Sequence, residues 1–270
     1  METNEIERRR WNDAQWAEVW PKRERMTDAV TAFLLDAAAL APGERVLDVG
    51  CGGGKTSLAA AEAVGAEGSV VGGDISTPLV ALARRRAVAA GAANATFRDA
   101  DMQTDTVDGG PFDVAISQFG VMFFDEPVAA FANIRAHLRA GGRLAFACWQ
   151  VAERNPWFFA PAIAAFLQPP PPPAPGRSPT GPFVLGDPGH TTATLRAAGF
   201  EDVSWDAHEI EVEVPRDSIV DEGQLTFMGV APERLAEAHD AVDRYMQRFA
   251  LSPTLLRIPL AFQVFRATTA

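Results

Sequence analysis

Short apolar runs alternate with longer helical patterns through the first 150 positions of this 270-residue chain. Residues 46–49, 69–74, 95–98, 112–117 and 143–149 have strand length and end at polar or glycine positions. Over 26–41 the apolar positions Met26, Val30, Phe33, Leu34, Ala37 and Leu40 recur at helical spacing. An Ala-rich helix opens at Lys55-Thr56-Ser57-Leu58, and Ser76-Thr77-Pro78 has the form of a second helix start. A further helix covers 127–138, with Arg139-Ala140-Gly141-Gly142 as a glycine stop. This alternation predicts an α/β fold with a largely parallel sheet and helices on both faces.

Beyond Trp149 the pattern changes. A helical segment runs from Asn155-Pro156-Trp157-Phe158-Phe159 through Leu167, and a five-proline run fills 169–173. Such a run is a stiff extended connector, read as a surface loop in preference to a ligand for a proline-binding module. Residues 191–198 predict a helix ended by Gly199-Phe200. Alternation of Val203, Trp205 and Ala207, then Ile210, Val212 and Val214, predicts a strand over 203–214, and 257–267 is a second candidate. Between them, 216–250 reads as a helical insertion containing Phe227, Met228 and Tyr245. Ahead of the fold, residues 11–20 carry Trp11, Trp16 and Trp20 and predict one amphipathic helix.

Composition narrows the class. The 35 acidic side chains exceed the 24 basic ones, and a net charge of −11 argues against a nucleic-acid partner. Arg84-Arg85-Arg86 is a short helical cluster and reads as a solvated face. Cys51 and Cys148 are far apart in sequence and fit reduced, near-core residues better than a disulfide or metal pair. The first ten residues are too charged for a secretory signal, and no apolar run is long enough to span a bilayer, so a soluble cytoplasmic protein is expected.

The chemistry concentrates in VLDVGCGGGKTS, residues 46–57. Strand, glycine turn and helix in that order build a nucleotide-type site, because glycine accepts positive φ and allows close backbone approach. A phosphate loop ending at Gly54-Lys55-Thr56 fails, since its first glycine would fall on Val49. A dinucleotide fingerprint fails too, with Lys55 where its third glycine belongs. What is present is Asp48-x-Gly50-x-Gly52-x-Gly54. A second acid, Asp74, ends the 69–74 strand, where a carboxylate pairs with two ribose hydroxyls. It also suits the turn into the next helix, and both roles are compatible.

These motifs together resemble the class I S-adenosylmethionine (SAM)-dependent methyltransferases, within the group holding quinone-biosynthesis and natural-product enzymes. The resemblance covers residues 26–150 and includes the segments DVAISQFGVMFF and AGGRLAFACWQ. It implies a Rossmann-like, doubly wound sheet of seven strands, mostly parallel with an antiparallel last strand, plus helical lid insertions. The chain is then one domain over 1–270. Residues 1–25 form an arm over the cofactor, 26–150 the core, 151–200 and 216–250 the lid, and 203–214 with 257–267 the last two strands.

The implied site places Asp48, Gly50, Cys51, Gly52 and Gly54 under the methionine part of SAM, and Asp74 on the ribose. Ile75 covers an adenine face. Asp101 accepts from the adenine amino group with Met102 at the ring edge, Asp99 being the alternative. Ser117 ends the fourth strand and Phe119 follows it, and Trp16 reaches in from the arm. The implied reaction is in-line methyl transfer to a small, partly apolar acceptor, leaving S-adenosylhomocysteine (SAH), in a monomer or homodimer. A non-catalytic SAM-fold protein and a nicotinamide-dependent oxidoreductase are the competing readings. Candidate bases are His137, His190, His208 and His239, with His190 best placed ahead of a helix, and no base or metal site is assigned.

Overall fold

A computed structural model describes residues 4–13, 16–167, 180–219, 225–226 and 228–270. The proline run 169–173 and Phe227 lie outside the described residues. Among the described residues eight strands form one sheet: β1 (Arg45–Val49), β2 (Ser69–Asp74), β3 (Ala95–Asp99), β4 (Phe112–Gln118), β5 (Leu138–Trp149), β6 (Glu201–Pro215), β7 (Ala250–Ser252) and β8 (Leu255–Thr268). Seven of them run in the order β3-β2-β1-β4-β5-β8-β6, with the short β7 paired to β8. Pairs among β1 to β5 are parallel, whereas β8 lies antiparallel to both β5 and β6. The architecture is therefore the doubly wound, mostly parallel one that the alternation predicts, and β7 is an addition to it.

The apolar periodicities explain how both faces are covered. Successive strand residues point to opposite faces. On β8, Phe262 meets Phe33 of α3 (Asp28–Ala38), with ring centroids 5.4 Å apart. Phe265 points the other way and stacks on Phe146 at 5.1 Å, which in turn meets Phe131 of α6 (Pro127–His137). All of these except half-buried Phe33 are fully buried, so the sheet is an aromatic-cored sandwich of helices.

Several boundaries differ from the sequence pattern. The arm is two helices, α1 (Glu5–Trp11) and α2 (Trp16–Arg23), where a single one is predicted over 11–20. Asn12 separates them: its Nδ2 donates to the Arg8 and Ile75 carbonyls, and its Oδ1 accepts from the Thr77 N–H. The predicted helix over 155–167 is fragmented, with one α-turn at Ala160–Ile163 and a 3-10 turn after it. Pro156 and Pro161 oppose a continuous helix. The buried Asn155 side chain also binds Ala261 through both its donor and its acceptor, at 2.9 and 3.0 Å, and pins the segment to β8. Helix α6 runs directly into β5 at Leu138, where the Gly142 N–H is satisfied by Thr269 Oγ1.

The order reversal between β1 and β4 opens a crevice at the strands' carboxyl ends. Two loops meet there. A methyl group on Gly120 would lie 2.6 Å from the Val49 carbonyl oxygen and 2.8 Å from Gly50 Cα. Gly120 has φ −81°, which any residue adopts, so alanine there tests the close approach alone. Gly120→Ala is expected to cost about 1–3 kcal/mol in urea unfolding. An unchanged midpoint would contradict this contact.

Candidate cofactor and acceptor site

The crevice holds a cavity of about 260 Å³, walled by the glycine loop, the ends of β2 to β5 and the arm. Its size approaches the lower end of small-molecule sites, roughly 300 Å³ upward. Gly50, Cys51, Gly52, Asp74, Ile75, Asp101, Met102 and Phe119 all line it. Trp16, Asp48, Gly54 and Ser117 do not. Trp16 is buried among Trp11, Trp20 and Arg23, and Trp11 and Trp20 themselves face the cavity. Ser117 is a tie beneath the floor, donating to the Val49 carbonyl and accepting from the Gly120 N–H. Gly54 sits at φ +81° where the loop turns into α4 (Lys55–Val64).

Three acids lie at strand ends. Asp74 accepts from the Gly52 N–H at 2.7 Å and from the Ser76 N–H at 2.8 Å, so it shapes the glycine loop and starts α5 (Thr77–Ala90). One bond per oxygen leaves lone pairs for two hydroxyl donors. Burial pushes its carboxyl up to about 6 against these donors. Asp48 is buried below the loop, accepts from Ser57 Oγ at 2.5 Å, and is pushed up to about 7, chiefly by burial. Asp101 accepts from the Gln103 N–H and Asn4 Nδ2 and pairs with Arg8, and burial raises its carboxyl as well. Its Oδ2 is buried without a hydrogen-bond partner, and Asp99 is exposed in an ion pair with Arg84.

These groups suit a nucleoside with a vicinal diol and an amino group, with Ile75, Leu79 and Met102 supplying apolar contact. They do not suit a phosphate. Lys55, the lysine of the false phosphate-loop ending, pairs with Asp28 of α3.

The opposite wall comes from β4 and β5. Phe119 has φ +62°, uncommon for a bulky side chain and a mark of functional sites. Its ring stacks on Trp149 with centroids 4.1 Å apart and an interplanar angle of 15°. Among the described residues, no histidine lines the cavity. His137 is buried between the Val107 N–H and the Asn133 carbonyl. His190 is exposed inside the first turn of α8 (Pro188–Ala197), not ahead of it. His208 packs on Phe33 and Phe262 and is half-buried, as is His239 on α9 (Leu235–Met246).

The arm contributes residues that no sequence pattern singled out. Glu7 is buried at the cavity and accepts from Arg10, Trp11 Nε1 and Thr180 Oγ1, joining α1 to the chain at Thr180. Asn4, Arg23, Glu24 and Asp28 also line the cavity.

A nucleoside-binding α/β crevice is thus defined by the fold and by its acids. Residues 46–142 match the family model described as a methyltransferase domain. Nocamycin O-methyltransferase of Saccharothrix syringae is 30% identical over 207 residues, 69% of this chain and 69% of that protein. Aklanonic acid methyltransferase DauC of Streptomyces sp. (strain C5) is 37% identical over 113 residues, 42% of this chain, and the match spans about half of that protein (51%). Phosphoethanolamine N-methyltransferase 2 of Haemonchus contortus, solved with SAH, shares the fold with TM-score 0.62 at 15% identity, over 96% of this chain and 60% of that one. The chain belongs to the SAM-dependent methyltransferases.

Asp48 and Asp74 bind their protons more tightly folded than unfolded. The ligand-free protein should therefore lose stability as pH rises from about 4 through about 7. Asp48→Asn keeps an acceptor for Ser57 and should stabilise by on the order of 1–3 kcal/mol at about pH 8. Urea midpoints across pH measure this; a destabilised variant at high pH would contradict it.

Proposed function

We propose that this methyltransferase acts on a planar, largely apolar natural-product acceptor held against the Trp149–Phe119 pair. The observation that carries this reading is the division of the cavity. The nucleoside-reading acids stand at the ends of β2 and β3, and the stacked aromatic wall stands at the ends of β4 and β5, across the crevice. Flat aromatic surface favours a flat partner. The names of the nocamycin and aklanonic acid enzymes support the same class of acceptor.

SAM supplies an electrophilic methyl group on a sulfonium, so the protein's task is alignment and exclusion of water. In this reading Asp74 holds the ribose, Asp101 the adenine, and the loop at Gly50 and Gly52 the methionine part. The arm shields them: Trp11 is tied through its carbonyl to Ser76 Oγ, and Trp20 stands against the glycine loop. Glu24 is held by Arg86 and Glu7 by its three donors, so these carboxylates serve structure. Alignment on the aromatic wall then carries most of the rate.

Calorimetric titration with SAM tests the cofactor half. Asp74→Ala should weaken binding by roughly 1–3 kcal/mol, and unchanged affinity would show the ribose assignment to be misplaced. Trp149→Leu tests the acceptor half. With labelled SAM and phenolic polyketide acceptors, it should raise the acceptor KM roughly five- to tenfold and leave SAH affinity unaltered. An equal loss of SAH affinity would move Trp149 to the cofactor side.

A further inference from the structure

Two buried acceptor atoms in the cavity wall have no hydrogen-bond donor: Asn4 Oδ1 and Asp101 Oδ2. They belong to side chains already joined to each other, since Asn4 Nδ2 donates to Asp101 Oδ1 at 3.3 Å. Arg8 lies 3.6 Å from Asp101 Oδ2, close enough for an ion pair and too far for a hydrogen bond. Buried acceptors are seldom left unpaired, and two of them on side chains hydrogen-bonded to each other call for a group that donates twice.

We propose that Asn4 reads the adenine amino group together with Asp101, each residue accepting one of its two N–H bonds. This deepens the SAM reading and rests on it. The amino group of adenine carries two donors on one nitrogen, which matches two adjacent acceptors on different chain segments. Asn4 is thereby a binding residue contributed by the arm, 97 residues away from Asp101 in sequence.

The residue type fits the task. Asn4 has φ +60°, in the left-handed region that asparagine tolerates better than most side chains. Its backbone N–H donates to Asp125 Oδ2, and Asp125 Oδ1 in turn accepts from Gln103 Nε2. Backbone and side chain are therefore both fixed. An amide donates to Asp101 and accepts from the ligand at once. An aspartate at this position would repel Asp101, and a glycine would keep the backbone conformation without the acceptor. The same contact makes the nucleoside a bridge between the arm and the β3 loop, so adenine recognition and arm docking become one event.

Calorimetry with SAH, N6-methyl-SAH and S-inosylhomocysteine tests this on the intact protein. Wild type should bind N6-methyl-SAH about tenfold more weakly than SAH, because one of the two N–H donors is gone. The inosyl analogue presents a carbonyl oxygen to two acceptors and should bind more weakly still. In Asn4→Gly the N6-methyl penalty should disappear, since the removed amide both frees space and needs no donor. Wild type binding N6-methyl-SAH within about twofold of SAH would overturn the proposal, as would a penalty that persists in Asn4→Gly. If Asn4→Gly binds no nucleoside, the wild-type series decides alone. Failure of SAH itself to bind wild type would sink the SAM assignment and this inference with it, whereas binding of SAH without discrimination sinks only the latter.

Discussion

The backbone of Gly50 lies against the backbone of Gly120, with no room for a methyl group between them. Through that contact the loop after β1 and the loop after β4 become one floor. Ser117 fastens it from below by bridging the Val49 carbonyl and the Gly120 N–H. On one side the floor hands the chain to α4, and the Gly52 N–H reaches Asp74. On the other, the left-handed turn at Phe119 lays its ring on Trp149. The glycine loop with Asp74 and the Phe119–Trp149 pair are thus positioned by a single close approach at the point where the strand order reverses.

Above this floor the arm is held by polar contacts as well as by the packing of its tryptophans. Asn12 holds the β2–α5 turn, Ser76 holds the Trp11 carbonyl, and Asn4 and Arg8 hold Asp101. Burial, of Asp48 beneath the glycine loop and of Asp74 at the end of β2, keeps both at raised pKa values, so the ligand-free protein carries carboxyls whose ionisation works against the fold. Of the two, Asp74 lines the cavity, and a ligand that donates hydrogen bonds to it offsets its share of that cost.

Much of the architecture was legible because strand and helix periods differ and because the glycine loop needs glycine for steric reasons. The antiparallel pairing of β6 and β8 followed from alternation and the family resemblance together. The failures have a common cause: a side chain from a distant segment overrode the local pattern. Asn12 breaks the arm because it bonds Ile75, and Asn155 breaks the 155–167 segment because β8 offers it backbone partners. His208 looked solvent-facing by alternation and is packed on Phe33 from a helix about 175 positions earlier. Within the site, acids and glycines carried their own signal, whereas Asn4, Glu7 and Trp20 acquire meaning only when the arm is folded over the crevice. The ambiguity between Asp99 and Asp101 was a matter of strand register, since Asp99 pairs with Arg84 outside and Asp101 faces the cavity.

A crystal structure of the SAH complex tests the central claim most directly. The ribose hydroxyls should lie on Asp74 and the adenine between Ile75 and Met102 with its amino group at Asp101, with α1 still seated above it. A nucleoside bound away from these acids, or an arm lifted clear of the β3 loop while SAH is in place, would contradict it.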